Sequence, residues 1–415
     1  MSATQLRGEE AQSWVPEPAV APTRARIARA LFLRAVRTLQ EGSLTVVLPD
    51  GRAAVAGQPD APTMTVHRED FFHRLGAHGR IGFGEAYMAG DWSADDLAGA
   101  LAAFAASLGR LAPAPFRRIG RLLDRRLPVH EENTPEGAAR NIARHYDLSN
   151  ELFALFLDET MTYSCAIFEP GDTLETAQRR KYGALAELAD VAPGHHVLEI
   201  GTGWGGMAIH LATTRGCRVT SATISQAQAA LARERIAAAG VDDLVEVVLA
   251  DYRDIEGTYD RIVSVEMFEA VGERYWPTFF ACCDRYLRPG GAVGMQTITM
   301  PHARYRATRR TYGWVHKYIF PGGLIPSEAA IGRALRDGSS LRVAASGEIG
   351  HFYAPTLRMW RERFVARADE VAALGFDATF RRMWEFYLAY CEAGFRVGYL
   401  GVSQLGLARS PFGGS

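Results

Sequence analysis

The fold of this chain is decided by residues 197–206, which read VLEIGTGWGG. The stretch begins as a hydrophobic strand, carries the acid Glu199 near the end of that strand, and opens into a glycine turn that leads into a helix. Glycines at such a turn permit positive φ and allow the backbone to approach a ligand closely. The spacing after the acid is G-x-G-x-G, which differs from the G-x-G-x-x-G of dinucleotide-binding folds.

On both sides of this stretch, strand-like and helical patterns alternate from about residue 137 to 409. The predicted strands are His196–Ile200, Arg218–Thr223, Val245–Leu249, Arg261–Val265 and Ala292–Gln296. Helices such as Gln226–Ala239 lie between them. This alternation predicts an α/β fold with a doubly wound, mostly parallel sheet that helices cover on both faces. Ligands of such sheets bind beyond the carboxyl ends of the strands.

The first third of the chain has a different organisation. Residues 1–25 are polar and interrupted by prolines, which predicts a flexible tail. Residues 26–132 are expected to form a smaller α+β domain. It contains a helical stretch at Ile27–Leu39, a strand-like segment at Leu44–Leu48 and a turn-rich run at Gly79–Asp91. The polar linker Glu131–Glu136 marks the predicted boundary, and the second domain is expected over residues 133–410.

Composition and charge exclude several classes of function. The chain has 415 residues, and its 46 basic and 47 acidic side chains give a net charge of −1, which removes any general electrostatic case for binding nucleic acid. The run Pro113–Pro128 is a basic amphipathic stretch, which is typical either of a solvated helix packed on its own domain or of a membrane-surface contact.

The cysteines and the hydropathy pattern indicate the compartment. Five cysteines form no C-x-x-C pair, so neither a disulfide framework nor a zinc site is predicted, and no other metal site is expected. No apolar run approaches the roughly 20 residues that a membrane-spanning helix needs. The sequence therefore predicts a cytoplasmic protein that meets the inner face of the membrane, if at all, as a peripheral protein.

Two later stretches indicate which cofactor the glycine turn serves. A dinucleotide fold needs an acid for the ribose about 20 residues after the turn, but residues 221–228 read SATISQAQ, which disfavours NAD. Asp251 and Tyr252 follow another predicted strand, and an acid with an aromatic ring suits the amino group and ring face of adenine. The strand, the glycine turn and these strand ends together predict a pocket for S-adenosylmethionine.

Six ordered stretches of the sequence resemble the cyclopropane fatty acid synthases and their mycolic-acid relatives. Besides the glycine strand, the matching stretches are RHYDLSN (144–150), TYSC (162–165), DYRD (251–254), FEAVG (268–272) and KYIFPGG (317–323). They extend over about residues 140–400. Residues 84–92, beginning GEAYM and ending at a tryptophan, look like the amino-terminal lipid-side domain of that family.

The resemblance implies a class I methyltransferase that transfers the methyl group of S-adenosylmethionine to the cis double bond of an acyl chain. The residues that would hold the cofactor are Tyr163, Ser164, Glu199, Gly201, Gly203, Gly205, Thr223, Gln228, Asp251 and Tyr252. The family removes a proton from the resulting carbocation with a bound bicarbonate. The positions that would hold this ion are Cys165, Glu269, Gln296, Ile298 and Tyr353.

Three of these residues also have a purely structural alternative. Cys165 could be a small buried hydrophobic residue, and we assign it a lining role and not a nucleophilic one. Tyr353 could belong to the core or to an interface. For Glu269 a functional role is favoured, because an uncompensated carboxylate in an apolar stretch is costly.

The sequence departs from the family pattern at three positions. Gln296 stands where the synthases usually have histidine, and glutamine can donate a hydrogen bond but cannot titrate near neutrality. Ala270 replaces a common histidine. Glu266, where the family often has glycine, adds a second carboxylate three residues before Glu269, and a solvated or salt-bridged side chain is the preferred interpretation.

The carbocation has two products, because it can close to a cyclopropane or lose a proton to leave an exocyclic methylene. Residues 296–302, which read QTITMPH, look most like the actinobacterial branch that methylates oleoyl chains at C10. This resemblance favours a 10-methylene product, which a separate reductase converts to the 10-methyl (tuberculostearic) form. A cyclopropane synthase is the alternative.

The expected partners are the acyl chains of phospholipids at the membrane surface. Arg304–Arg310, with the stretch Pro113–Pro128, could engage lipid phosphates. The sequence does not decide whether a reductase binds to the protein or whether the protein forms a homo-oligomer. Two other functions remain: a lipid-binding module that has lost catalysis, which the changes at Gln296 and Ala270 motivate, and a methyltransferase for a soluble metabolite.

Overall fold

The structure is a computed structural model that describes residue 15 and residues 22–39, 42–58, 60–107 and 149–409. The predicted basic stretch Pro113–Pro128, the linker Glu131–Glu136 and most of the predicted tail lie outside these residues, as do positions 144–148 of the first family motif.

In chain order the helices of the described residues are α1 (Pro22–Arg37), α2 (Asp70–His78), α3 (Arg80–Met88), α4 (Leu97–Ser107), α5 (Asn150–Phe156), α6 (Leu174–Leu188), α7 (Gly206–Arg215), α8 (Gln226–Ala238), α9 (Trp276–Tyr286), α10 (His302–Thr308), α11 (Trp314–Tyr318), α12 (Glu328–Gly338), α13 (Tyr353–Ala366), α14 (Ala368–Ala373) and α15 (Ala378–Arg396). The strands are β1 (Leu44–Val47), β2 (Ala53–Ala56), β3 (Thr63–Val66), β4 (Trp92–Ala94), β5 (His196–Ile200), β6 (Arg218–Thr223), β7 (Val245–Leu249), β8 (Tyr259–Val265), β9 (Leu287–Thr299), β10 (Leu341–Glu348) and β11 (Gly401–Arg409).

The described residues form two compact units, and the division differs from the predicted one. One unit combines the described part of residues 1–126 with Thr311–Ile319 and Leu357–Tyr399, and the rest of the described chain forms the other. A single boundary near residue 132 therefore does not separate the units, because two later segments pack with the amino-terminal part. The predicted tail is also too long by a few residues, since α1 begins at Pro22.

The unit that contains α1 has a four-stranded sheet with the order β2-β1-β3-β4, in which β1 and β3 are parallel and the outer pairs are antiparallel. The run Gly79–Asp91, predicted to be turn-rich, is mostly the helix α3. The glycines within α3 allow close packing of neighbouring groups and do not form turns. A Cβ on Gly82 would lie 2.0 Å from the carbonyl oxygen of Arg74, and one on Gly84 would lie 2.5 Å from the Trp314 ring.

The other unit has a seven-stranded sheet with the order β10-β11-β9-β8-β5-β6-β7. The strands from β9 to β7 are parallel to their neighbours, and β11 and β10 are antiparallel. Two separate groups of buried side chains pack against this sheet, one around α9 and α12 and the other around α6, α7 and α8. The predicted α/β class with a doubly wound, mostly parallel sheet is confirmed.

Candidate functional site

The glycine turn lies at the carboxyl end of β5 and leads into α7. Gly201, Gly203 and Gly205 have φ values of 100°, 51° and 85°, which side chains with a Cβ rarely adopt. A Cβ on Gly201 would also lie 3.2 Å from the Cβ of Met267, whereas one on Gly203 would meet no atom of the described residues within 4 Å. The turn therefore requires glycine for its backbone and leaves space beside Gly203 for a ligand.

Glu199 lies inside this edge of the sheet and is 2% exposed. Its carboxylate accepts a hydrogen bond from Ser221 Oγ at 2.5 Å. Burial raises the pKa of Glu199 to about 8, although the Ser221 hydrogen bond and the charge of Lys181 act in the opposite direction. A carboxyl group of this kind ionises readily only when a positive charge or further donors come close to it.

The other predicted cofactor residues lie at the ends of β6 and β7. Thr223 Oγ1 donates to Gln228 Oε1 at 3.0 Å, so these two side chains are paired. Asp251 accepts two hydrogen bonds from the Arg253 guanidinium, at 2.5 and 2.7 Å. The hydroxyl group of Tyr252 is buried and has no hydrogen-bond partner among the residues that the structure describes. The open glycine turn and this unpartnered hydroxyl group fit a bound nucleoside.

Tyr163 and Ser164 belong to the segment between α5 and α6. The Tyr163 ring packs edge-on against Phe153, with 5.3 Å between the ring centroids. Ser164 Oγ accepts a hydrogen bond from Lys181 Nζ at 2.6 Å, and this lysine is fully buried. Burial lowers the pKa of Lys181 to about 8, and the nearby Glu266 carboxylate opposes that shift.

Glu266 follows β8 directly, and three donors converge on its carboxylate. The backbone N–H of Cys165 and the side-chain amide of Gln296 donate to Oε1, each at 2.9 Å. The hydroxyl group of Tyr353 donates to Oε2 at 2.7 Å. Burial raises the pKa of Glu266, and the three hydrogen bonds lower it. The interpretation of Glu266 as solvated or salt-bridged is wrong, because its carboxylate is turned inward onto predicted catalytic residues.

The register of the sheet places Gln296 at the centre of this cluster. On β9, Gln296 is paired with Val265 on one side and with Gln404 of β11 on the other. Gln404 donates to Gln296 Oε1 at 2.9 Å, and Gln296 Nε2 also donates to the carbonyl oxygen of Cys165 at 3.1 Å. Both ends of the Gln296 amide are therefore engaged within the protein.

Glu269 lies on a short 3₁₀ helix, Phe268–Ala270, and its two carboxylate oxygens differ. Oε1 accepts from the Thr297 hydroxyl group at 3.0 Å and from the backbone N–H of Ile298. Oε2 is buried and has no hydrogen-bond partner within the described part of the chain. Burial and the Glu266 charge raise the pKa of Glu269 to about 8. Because Glu266 accepts more hydrogen bonds, it ionises first, and Glu269 holds a proton near neutrality.

Cys165 is buried in the same cluster. Its Sγ lies 3.3 Å from the carbonyl oxygen of Ala166 and 3.6 Å from that of Ile349. Burial and the Glu266 carboxylate raise the pKa of the Cys165 thiol well above its usual range. A thiol without thiolate character is a poor nucleophile, which supports a lining role.

The five predicted catalytic residues thus come together, with Glu266 in their middle. Among the residues that the structure describes, no group of His, Cys, Asp or Glu side chains is arranged to hold a metal ion. Prediction from the sequence missed Lys181 and Gln404. Lys181 is one of only two lysines in the chain, which was a usable signal. No feature of the sequence marks Gln404, because its contact with Gln296 depends on the pairing of two strands that are distant in the chain.

The arrangement does not fit a bound bicarbonate. Three groups predicted to hold that ion, the Cys165 N–H, the Gln296 amide and the Tyr353 hydroxyl group, donate to Glu266 instead. The Ile298 N–H donates to Glu269. An added anion would compete for these donors and would lie beside two carboxyl groups. The bicarbonate therefore stays a prediction from the resemblance, and we derive no step through it.

Comparisons with known proteins agree with the fold. The mycolic acid cyclopropane synthetase family model matches residues 133–405. The tuberculostearic acid methyltransferase UfaA1 of Mycobacterium tuberculosis is 50% identical over 404 residues, which are 95% of this chain and 94% of that protein. The cyclopropane-fatty-acyl-phospholipid synthase of Escherichia coli K12 is 36% identical over 373 residues, which are 86% of this chain and 91% of that protein.

A solved structure of the mycolic acid cyclopropane synthase CmaA1, complexed with SAH and CTAB, is similar with a TM-score of 0.60 and 30% identity. The match covers 65% of this chain and 97% of CmaA1. The matched family region extends beyond half of the chain, and two relatives match it over most of their own length. This chain belongs to the mycolic acid cyclopropane synthetase family.

Proposed function

We propose that this protein transfers the methyl group of S-adenosylmethionine to the cis double bond of an oleoyl chain of a phospholipid and forms a 10-methylene acyl chain. The observation that carries the proposal is the arrangement at the carboxyl edge of the sheet, where an open glycine turn lies at the end of β5 and an inward-facing pair of glutamates follows β8. The 50% identity to a tuberculostearic acid methyltransferase supports the choice of product.

The donor site is assigned to the residues at the ends of β5, β6 and β7. The residues that would hold S-adenosylmethionine are Glu199, Gly201, Gly203, Gly205, Thr223, Gln228, Asp251 and Tyr252, with Tyr163 and Ser164 at its methionine end. When bound, this cosubstrate supplies an electrophilic methyl group. The CmaA1 structure with SAH, which is the demethylated form of the same cosubstrate, supports the assignment.

The acceptor is an alkene, a weak nucleophile that a protein can help mainly by orienting it in a dry site. The methyl carbon leaves sulfur and bonds to C10, which places a positive charge at C9. A hydride then moves from C10 to C9, and loss of a proton from the new methyl group gives the exocyclic methylene. The carboxylate of Glu266 stabilises the positive charge, and Glu269 adds to this in its charged form, which increases as the pH rises toward about 8. Cys165, Gln296, Ile298 and Tyr353 fix the positions of the two side chains.

A cyclopropane synthase is the second candidate, and the identity to the E. coli cyclopropane-fatty-acyl-phospholipid synthase favours it. In that reaction the same carbocation loses a proton from the methyl group without a hydride shift, and the ring closes onto C9. The two products have equal mass and differ in structure. A methylene product would be the substrate of a separate reductase, whereas a cyclopropane would not.

Transfer of label from methyl-labelled S-adenosylmethionine to lipid tests the proposal. Vesicles of dioleoyl phospholipid are expected to gain label in the acyl chains, while vesicles of the matched distearoyl phospholipid, which has no double bond, stay unlabelled. Label in both vesicles, or in neither, would contradict methyl transfer to the double bond. Turnover would also exclude a lipid-binding module without catalysis.

We further propose that α1 binds the anionic inner surface of the membrane. Ile27 and Leu31, one helical turn apart on α1, are each 56% exposed. The helix carries Arg24, Arg26, Arg34 and Arg37 at its surface and has no acidic residue. Apolar side chains beside arginines are typical of helices that lie at a lipid surface. Over the described ranges no helix has the length and hydropathy of a membrane span.

Replacing both Ile27 and Leu31 by aspartate is expected to lower binding to anionic vesicles at least about tenfold, because two apolar contacts are lost and two negative charges are added. Cosedimentation with vesicles measures the binding. Val343→Asp, on β10, is the matched control, since Val343 is 46% exposed and lies outside α1. Equal binding by the double variant and the control would contradict a role for α1.

A further inference from the structure

We infer that the carboxylate of Glu266 is the base that accepts the proton lost by the carbocation, and that it takes the place of an external anion. The chemical part of this inference rests on the proposed function. Its binding part does not, because it concerns only whether the cluster around Glu266 admits a second anion.

The contacts of Glu266 are those that a bound oxyanion would need. Its two oxygens together accept from a backbone N–H, a side-chain amide and a phenolic hydroxyl group, at 2.7 to 2.9 Å. These donors come from Cys165, Gln296 and Tyr353, which are far apart in the chain. Three donors that converge on one carboxylate form a preorganised anion site, and Glu266 itself fills it.

The donors have little capacity left for another anion. Gln296 Nε2 donates to Glu266 and to the carbonyl oxygen of Cys165, which uses both hydrogens of the amide nitrogen. Gln296 Oε1 accepts from Gln404. A bicarbonate in this cluster would have to displace the Glu266 side chain and leave that carboxylate without its three donors, which is costly in a buried place.

The backbone at Glu266 provides a second, independent observation. Glu266 has a φ of 48°, in the left-handed region that favours glycine and that is strained for other residues. Such strained backbone conformations persist only where contacts with the surrounding structure hold them in place, and they cluster at functional sites. The conformation directs the Glu266 carboxylate inward, and a glycine here would relieve the strain but leave the donors without a partner.

The proton transfer balances without any further reactant. A C–H bond of the new methyl group breaks, its electron pair forms the carbon–carbon double bond of the methylene, and the proton bonds to Glu266 Oε2. That oxygen accepts a single described hydrogen bond, from Tyr353, and so keeps a lone pair for the proton. Burial raises the pKa of Glu266 above its usual range, which strengthens it as a base. The neutral acid then releases the proton to water after the product leaves.

Binding of ¹³C-labelled bicarbonate, followed by NMR, tests the inference without any assay of activity. The wild-type protein is expected to bind no labelled bicarbonate in this cluster, whereas Glu266→Gly is expected to bind it, because the variant opens the donors at a position whose φ suits glycine. Glu266→Gln, which keeps the shape of the side chain, is expected to bind none. Saturable binding by the wild-type protein that the Glu266 variants do not change would overturn the inference.

A second test of the inference measures methyl transfer to dioleoyl vesicles in buffers purged of carbon dioxide. Wild-type turnover is expected to stay unchanged when bicarbonate is removed or added. Both Glu266 variants are expected to lose about 10²-fold in turnover, as for removal of a positioned base, and added bicarbonate is expected to restore Glu266→Gly alone. Glu246→Gln, at an exposed position on β7, is the control and keeps wild-type turnover.

Two results in this arm would overturn the inference: wild-type turnover that falls on removal of bicarbonate and returns with it, or near-native turnover of Glu266→Gln. If the wild-type protein labels no lipid at all, the proposed function fails, and the binding arm still decides whether Glu266 excludes an external anion.

Discussion

Replacing Glu269 by glutamine is expected to lower turnover about 10²-fold and to leave the affinity for S-adenosylmethionine nearly unchanged. Glu269 Oε2 is buried without a hydrogen-bond partner in the described ranges, while Oε1 is fixed by Thr297 and by the backbone of Ile298. Glutamine keeps the shape of the side chain but cannot become negatively charged when a positive charge forms beside it. The loss therefore falls on the transition state and not on donor binding.

The pH dependence gives this prediction a second signature. Burial and the Glu266 charge raise the pKa of Glu269 to about 8, so the charged form of Glu269 increases as the pH rises toward that value. Wild-type turnover is expected to rise between about pH 6 and 8, and Glu269→Gln is expected to lack that rise. Glu256→Gln, at an exposed position, serves as the control. Near-native turnover of Glu269→Gln would remove Glu269 from the catalytic set.

The second large effect is expected at Glu199, where replacement by glutamine should weaken S-adenosylmethionine binding about 10²-fold. Glu199 is 2% exposed and accepts a hydrogen bond from Ser221 Oγ. A hydrogen bond or ion pair to a buried charged group contributes about 1.5–3 kcal/mol, which corresponds to a factor of roughly 10 to 10² in affinity. Isothermal titration calorimetry measures this affinity directly.

Proton linkage separates a role in binding from a role in folding. Burial raises the pKa of Glu199 to about 8, so the carboxyl group is largely protonated in the free protein near neutrality. A cationic donor that prefers the charged form releases a proton on binding, and its affinity rises with pH up to about 8. Glu199→Gln is expected to abolish this dependence, whereas Ser221→Ala should keep it. Equal affinities of wild-type protein and Glu199→Gln at every pH would contradict the assignment.

Much of the parallel sheet could be predicted from the sequence, because its strands are short apolar runs followed by turn residues. The predicted strands His196–Ile200, Arg218–Thr223 and Val245–Leu249 agree with the observed bounds. The helix α3 could not be predicted, because Gly82 and Gly84 suggested turns, and their close contacts to Arg74 and Trp314 are tertiary. The packing of Leu357–Tyr399 with the amino-terminal part also cannot be predicted from local sequence patterns.

The candidate site was predictable in its members but not in its hydrogen bonds. The motifs supplied Cys165, Glu269, Gln296, Ile298 and Tyr353, since each lies in or near a stretch that resembles the family. The role of Glu266 depends on a backbone φ of 48° and on the register that places Val265 beside Gln296. Neither property can be read from residue types, so the sequence alone favours a solvated or salt-bridged side chain for Glu266.

The measurement that tests the central claim most directly is mass spectrometry and NMR of the lipid formed from dioleoyl phospholipid and S-adenosylmethionine with a trideuterated methyl group. The account predicts an acyl chain with an exocyclic methylene at C10 that retains two of the three deuterons, because the base removes the third as a deuteron. An acyl chain that retains all three deuterons, or a lipid without deuterium, would contradict it.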